Sequence, residues 1–160
     1  MSRARRQTVS VSLFPFLAVL ICIMGALVII LVLMVATADI GAYFSGQRWG
    51  SHKLAEVVSP KKTWEGFWGG IFASTLLAFI LWSQLPDQQA HVSLAAVLVV
   101  TLATVLASVV GDLTVSMVKR EAGVKDSGSL LPGHGGVLDR LDSICGAAPV
   151  LALGLLLAGW

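Results

Sequence analysis

The chain has 160 residues, 56% of them hydrophobic and only 12% charged, with 11 basic and 9 acidic side chains and a net charge of +2. A soluble domain carries about 25% charged residues, so half of the expected charge is missing. That excludes a soluble globular domain, a disordered chain, a disulfide scaffold and a nucleic-acid binder, and leaves an all-α, polytopic integral membrane protein.

The charges are placed unevenly. Charge-free runs of 32, 21, 24 and 18 residues lie between Arg6 and Asp39, Glu65 and Asp87, Asp87 and Asp112, and after Asp142. A bilayer core of about 30 Å takes about 20 apolar residues in a helix, so the runs predict about four transmembrane helices. A basic tail with Arg3, Arg5 and Arg6 precedes the first, expected from about Leu13 to Ala36 with Pro15 in its first turn. Ala36-Thr37-Ala38 resembles a signal-peptide cleavage site, but the apolar stretch far exceeds the roughly 7–15 residues of a signal core. The second helix is expected over about Phe67 to Leu85, the third over Val92 to Met117 and the fourth over Ile144 to Trp160. Cys22 and Cys145 sit in apolar runs and read as small buried hydrophobes.

Two polar stretches, Asp39–Glu65 and Asp112–Asp142, hold 16 of the 20 charged residues. An even number of spans between them puts both on one side of the membrane. That side carries eight Lys and Arg against three in the N-terminal tail, so the positive-inside rule assigns it to the cytoplasm of a cell inner membrane. The basic tail pulls the other way, and the larger count decides.

The second stretch is rich in chemistry. Asp112, Ser116, Lys119 and Arg120 follow at i, i+4, i+7 and i+8, one face of a helix. Snorkelling at a helix end accounts for Lys119 and Arg120 but leaves Asp112 in an apolar run, where an acid suits a polar cavity. Asp139 and Asp142 are at i and i+3, so their carboxylates are expected to converge, and two such carboxylates repel unless a cation lies between them. Magnesium, which takes one or two carboxylates plus phosphate oxygens, is the natural candidate; complementing the helix dipole is the simpler alternative. The Pro132-Gly133-His134-Gly135-Gly136 run offers backbone N–H groups to an anion or forms a flexible turn. His134 lacks a second ligand at zinc spacing.

The first stretch contains Ser59-Pro60-Lys61-Lys62-Thr63-Trp64-Glu65-Gly66. Its paired lysines serve either a polyphosphate or a positive-inside anchor, with Trp64 at headgroup level. Asp39, with Tyr43 at i+4, adds an acid on the same side. His52 and His91 read as solvated.

Together these segments resemble the phosphatidate cytidylyltransferase (CDP-diacylglycerol synthase) family. Ser116-x-x-Lys119-Arg120-x4-Lys125-Asp126-x4-Leu131-Pro132-x-His134-Gly135-Gly136-x-x-Asp139-Arg140-x-Asp142 follows its diagnostic pattern, and the blocks from Asp39 to Phe44 and Ser59 to Gly66 look like its upstream segments. The resemblance divides the chain into an atypical tail and helix over residues 1–37 and a cytidylyltransferase-like catalytic region over 38–160. It implies CTP and phosphatidate as partners within the lipid bilayer, giving CDP-diacylglycerol and diphosphate in phospholipid synthesis. Asp112, Lys119, Asp139 and Asp142 would be the catalytic set. Asp112, Asp139 and Asp142 would hold Mg2+, with Asp39 beside them and a second cation completing the site. Lys61, Lys62, Ser116, Arg120, Lys125, His134 and Arg140 would contact substrate.

Two departures stand out: Val115 replaces an acidic residue of the family, and one helix precedes the Asp39 block where the family has several. A partner or a second copy in a homo-oligomer is one way to supply the others. The alternatives are an inactive membrane remnant or interaction subunit, and a related CTP-dependent lipid kinase.

Overall fold

The computed structural model describes residues 10–56, 58–84, 93–124, 127–128 and 136–158. These form four helices and a short hairpin: α1 (Ser10–Trp49), β1 (Lys53–Ala55), β2 (Ser59–Thr63), α2 (Trp64–Ser83), α3 (Leu94–Glu121) and α4 (Leu138–Leu157). Over Phe14–Trp49, Trp64–Ser83 and Leu94–Glu121 the helices are long and apolar enough to cross a membrane. The apolar part of α4, Leu141–Leu157, is shorter. At about 1.5 Å per residue it still reaches roughly 26 Å.

The largest difference from the sequence reading is at α1, which begins earlier than expected and continues 13 residues beyond Ala36. Asp39 therefore projects from a helix and not from a loop. Gly41 and Gly46 weaken an isolated helix by about 1 kcal/mol each, but here they make a seam against α2. A Cβ on Gly41 would fall 2.5 Å from the Ala73 Cβ and 2.9 Å from the Gly69 carbonyl oxygen. Small residues at such a crossing let two backbones approach, the main source of helix association where lipid removes the hydrophobic drive.

Local signals set the other boundaries. The Thr63 hydroxyl caps α2 by accepting from the Gly66 N–H at 3.1 Å, and Ser93 caps α3 by accepting from Ala96 at 3.2 Å. At the far end of α3, Gly123 turns the chain in the left-handed region at φ 70°, and the Val124 N–H donates to the Lys119 carbonyl.

The fold is all-α as expected, with one short hairpin added between α1 and α2. Lys53 pairs with Thr63 and Ala55 with Ser59, with an irregularity between them. Lys53 Nζ donates to the Pro60 carbonyl at 2.7 Å, and the Trp64 N–H to that of His52 at 3.0 Å. β2 thus carries Lys61 and Lys62 back over the end of the helices.

α1 packs along α2 and α3 along α4, and a small core of Leu31, Met34, Val35, Ala147 and Leu151 joins the two pairs. The hydroxyls of Ser74, Thr104 and Ser108 are buried, and each donates to a carbonyl three or four residues back in its own helix. They are satisfied without water. Large apolar side chains such as Phe16, Phe72, Val99 and Leu156 point outward, as on a bundle solvated by lipid. Cys22 and Cys145 are also exposed, contrary to the expected burial.

Candidate active site

The acids of the two polar stretches meet because the antiparallel pairs bring them to one level. Ala38 of α1 faces Gly70 of α2, and Gly111 of α3 lies against Gly146 and Asp142 of α4. A Cβ on Gly111 would stand 2.9 Å from the Gly146 Cα and 3.0 Å from the Asp142 carbonyl oxygen. Asp112 and Asp142 consequently lie side by side, near enough for each charge to act on the other. Asp39 is within electrostatic range of both. Lys62, brought over by β2, forms an ion pair with Asp112. Lys62 thus faces Asp112 and Asp39, while the cation acting on Asp142 is Lys119.

Asp112 also accepts a long hydrogen bond from the Ser116 hydroxyl at 3.4 Å, and Asp142 accepts from the Ser143 N–H at 2.8 Å. Two neighbouring carboxylates repel each other, and a cation between them relieves that repulsion. Among the described residues no three His, Cys, Asp or Glu side chains stand close enough to form a complete protein cage for a metal. The Asp112–Asp142 pair nevertheless fits a hard cation such as magnesium, which binds one or two carboxylates and completes its shell with phosphate and water oxygens.

Asp139 has different neighbours from those its spacing to Asp142 suggests. Its carboxylate accepts from Lys119 Nζ at 2.9 Å, from the Ser127 N–H at 2.9 Å and from the Gly136 N–H at 2.9 Å. The Lys119 ammonium, followed by the two amides, holds this carboxyl well below the usual carboxylate range. The Lys119–Asp139 bond ties the start of α4 to the end of α3. Asp142 belongs to the acid cluster and Asp139 to the strut beside it.

A cavity of about 300 Å³ opens between α1, the hairpin, α2 and α3. Asp39, Lys61 and Lys62 line it with charge, and Phe67, Val105 and Val109 line it with apolar surface. Lys61 is exposed, as is Arg120 on the far turn of α3. Lys125 and His134 lie outside the described residues, as does the side chain of Arg140; His91 does too.

Sequence reasoning missed a clasp at the mouth of the hairpin. Glu65 Oε1 accepts from the Ser51 hydroxyl at 2.9 Å and lies 2.8 Å from His52 Nδ1. His52, read as solvated, is exposed but paired. The clasp fastens the end of α1 to the start of α2 and so frames β2. Only the long separation between Ser51 and Glu65 hid it.

The sequence matches the cytidylyltransferase family over residues 5–158. The chain belongs to that family. The match takes in the part of α1 before Asp39, which the motifs from Asp39 onward do not reach. Its relatives include the phosphatidate cytidylyltransferase of Pseudomonas aeruginosa, 50% identical over 136 residues (85% of this chain and 49% of that protein). The phosphatidate cytidylyltransferase of Haemophilus influenzae is 49% identical over 122 residues, 73% of this chain and 41% of that protein. That of Staphylococcus epidermidis is 44% identical over 124 residues, 78% of this chain and 46% of that protein. This cytidylyltransferase-family chain spans about half the length of the curated relatives it matches. A solved structure described as an intramembrane enzyme for archaeal membrane lipid biosynthesis superposes with a TM-score of 0.57 at 25% identity, covering 79% of this chain and 77% of that one.

Proposed function

We propose that this chain is the catalytic part of a phosphatidate cytidylyltransferase, joining CTP and phosphatidate to give CDP-diacylglycerol and diphosphate. The observation that carries this reading is the grouping of Asp112, Asp142 and Lys62 beside a cavity lined by both charged and apolar side chains. A phosphate oxygen of phosphatidate attacks the α-phosphorus of CTP. The bond from that phosphorus to the bridging oxygen breaks, and diphosphate leaves with the electron pair. The protein's task is to bring two polyanions together and spread their charge.

Lys61 and Lys62, which line the cavity, receive phosphate groups, and Arg120, Lys125, His134 and Arg140 stand as further contacts from the second polar stretch. Ser116 steadies Asp112. Lys119 and Asp139 set the start of α4 so that Asp142 meets Asp112. Magnesium held by Asp112 and Asp142, with Asp39 alongside, would neutralise the reacting phosphates and the leaving diphosphate, and a second cation would extend that neutralisation. The greater Lys and Arg count of the two polar stretches orients this end toward the cytoplasm of the cell inner membrane, where CTP is available.

Membranes containing the inserted chain, given labelled CTP, phosphatidate and magnesium, are expected to form labelled liponucleotide. Absence of product from folded, inserted protein overturns the reading.

A further inference from the structure

A second cavity, of about 200 Å³, lies at the end of the bundle away from the acids. All four helices contribute to its wall, with Met34 from α1, Ala78 from α2, Val97 and Thr101 from α3, and Leu151 and Leu155 from α4. The lining is almost wholly apolar; Thr101 brings the one hydroxyl among these six. Apolar cavities of this kind stay dry and accept apolar guests.

Its depth says which guest. At about 1.5 Å per residue, Thr101 and Val97 lie roughly 16 and 22 Å along α3 from Asp112, and Leu155 lies roughly 20 Å along α4 from Asp142. Half of a bilayer core is about 15 Å, so a lipid whose phosphate is held at the acids has its chain ends at this depth. The linings of the two cavities come within one helical turn of each other. Val105 lines the charged one and Thr101, one turn on, lines the apolar one; Ala38 and Met34 repeat that step on α1.

We propose that the apolar cavity is a binding site for the terminal half of one acyl chain of phosphatidate, so that the bundle measures chain length from the acid cluster. This rests on phosphatidate being the lipid held at Asp112 and Asp142. A chain too short to reach Thr101 leaves the cavity empty, and a longer one gains its contacts. Filling the site from its wall therefore selects against long chains.

The test uses proteoliposomes of phosphatidylcholine containing the full chain and phosphatidate bearing a photoreactive diazirine at the end of one tail. Crosslinks are expected on Val97, Thr101, Leu151 or Leu155, and unlabelled long-chain phosphatidate should compete them away. A diazirine beside the ester carbonyl should instead mark Val105 or Val109. Ala78→Phe and Val97→Phe, made separately, should each lower end-probe labelling of the cavity by at least about tenfold relative to carbonyl-probe labelling. Equal labelling of the cavity by end-tagged phosphatidylcholine overturns the proposal. So does end-probe labelling confined to outward-facing Phe72 and Leu153, or unchanged labelling in both variants. CTP turnover is scored separately in the same vesicles. Cavity labelling without turnover refutes cytidylyl transfer and leaves the lipid site standing.

Discussion

Asp142 and Asp139 are three residues apart on one helix, yet they meet different partners. Helical spacing shows which side chains of one element share a face, and it groups these two acids. It does not show the partners that other elements bring. Asp142 meets Asp112 of α3, while Asp139 is taken by Lys119 and two backbone amides. Asp142→Asn is expected to lower liponucleotide formation at least about a hundredfold, the scale of removing one electrostatic group from a preorganised site, with the thermal unfolding midpoint little changed. Asp139→Asn should do the reverse in kind, lowering the midpoint more than its effect on the site would suggest. The sign with pH follows from the depressed carboxyl. A group whose folded pKa lies below its unfolded value stabilises the fold above the unfolded pKa of about 4 and loses that contribution as pH falls. The gap in midpoint between the native protein and Asp139→Asn should therefore be full at neutral pH and close progressively below pH of about 4. A gap that stays constant down to strongly acid pH would remove Asp139 from this role.

At the scale of elements, the long apolar runs and the helix caps were legible because they depend on composition and neighbours in sequence. The extension of α1 past Asp39 was not. The segment Asp39 to Trp49 holds two charges, two glycines and several polar residues, and only the close approach of Gly41 to Gly69 and Ala73 makes a helix its best use. The hairpin was hidden for a similar reason. Ser59-Pro60-Lys61-Lys62-Thr63 has little intrinsic strand preference, and its pairing depends on the ends of α1 and α2 being clasped through Glu65 and His52. The glycine contacts also make a prediction that separates packing from chemistry. Gly111 touches the backbone of Asp142 and Gly146, so its neighbours have no flexible tip that can swing away. Gly111→Val is expected to cost about 1–3 kcal/mol in unfolding and to reduce turnover by parting Asp112 from Asp142. Gly25 has open space around the position of an added Cβ, and Gly25→Ala should be stable and fully active. Equal behaviour of the two variants in unfolding and turnover would sink the packing argument.

Across the whole molecule, scarce charge and its position argue for one direction of insertion. The two polar stretches hold eight basic and eight acidic residues, and the fold brings members of both stretches to the same end, where Lys62 pairs with Asp112 and Lys119 with Asp139. Electrostatic balance at that end suits the proposed site for metal and polyphosphate, but the positive-inside rule counts Lys and Arg alone, and by that count the end is expected on the cytoplasmic side. Arg48 lies in the last turn of α1 at this end and is exposed. A chain carrying Arg48→Cys in a background of Cys22→Ser and Cys145→Ser offers one thiol. A membrane-impermeant maleimide should leave it untouched in intact cells and label it once the membrane is opened. Labelling in intact cells would place the acid cluster on the outer face, where cytosolic CTP cannot reach it, and would overturn both the orientation and the proposed reaction.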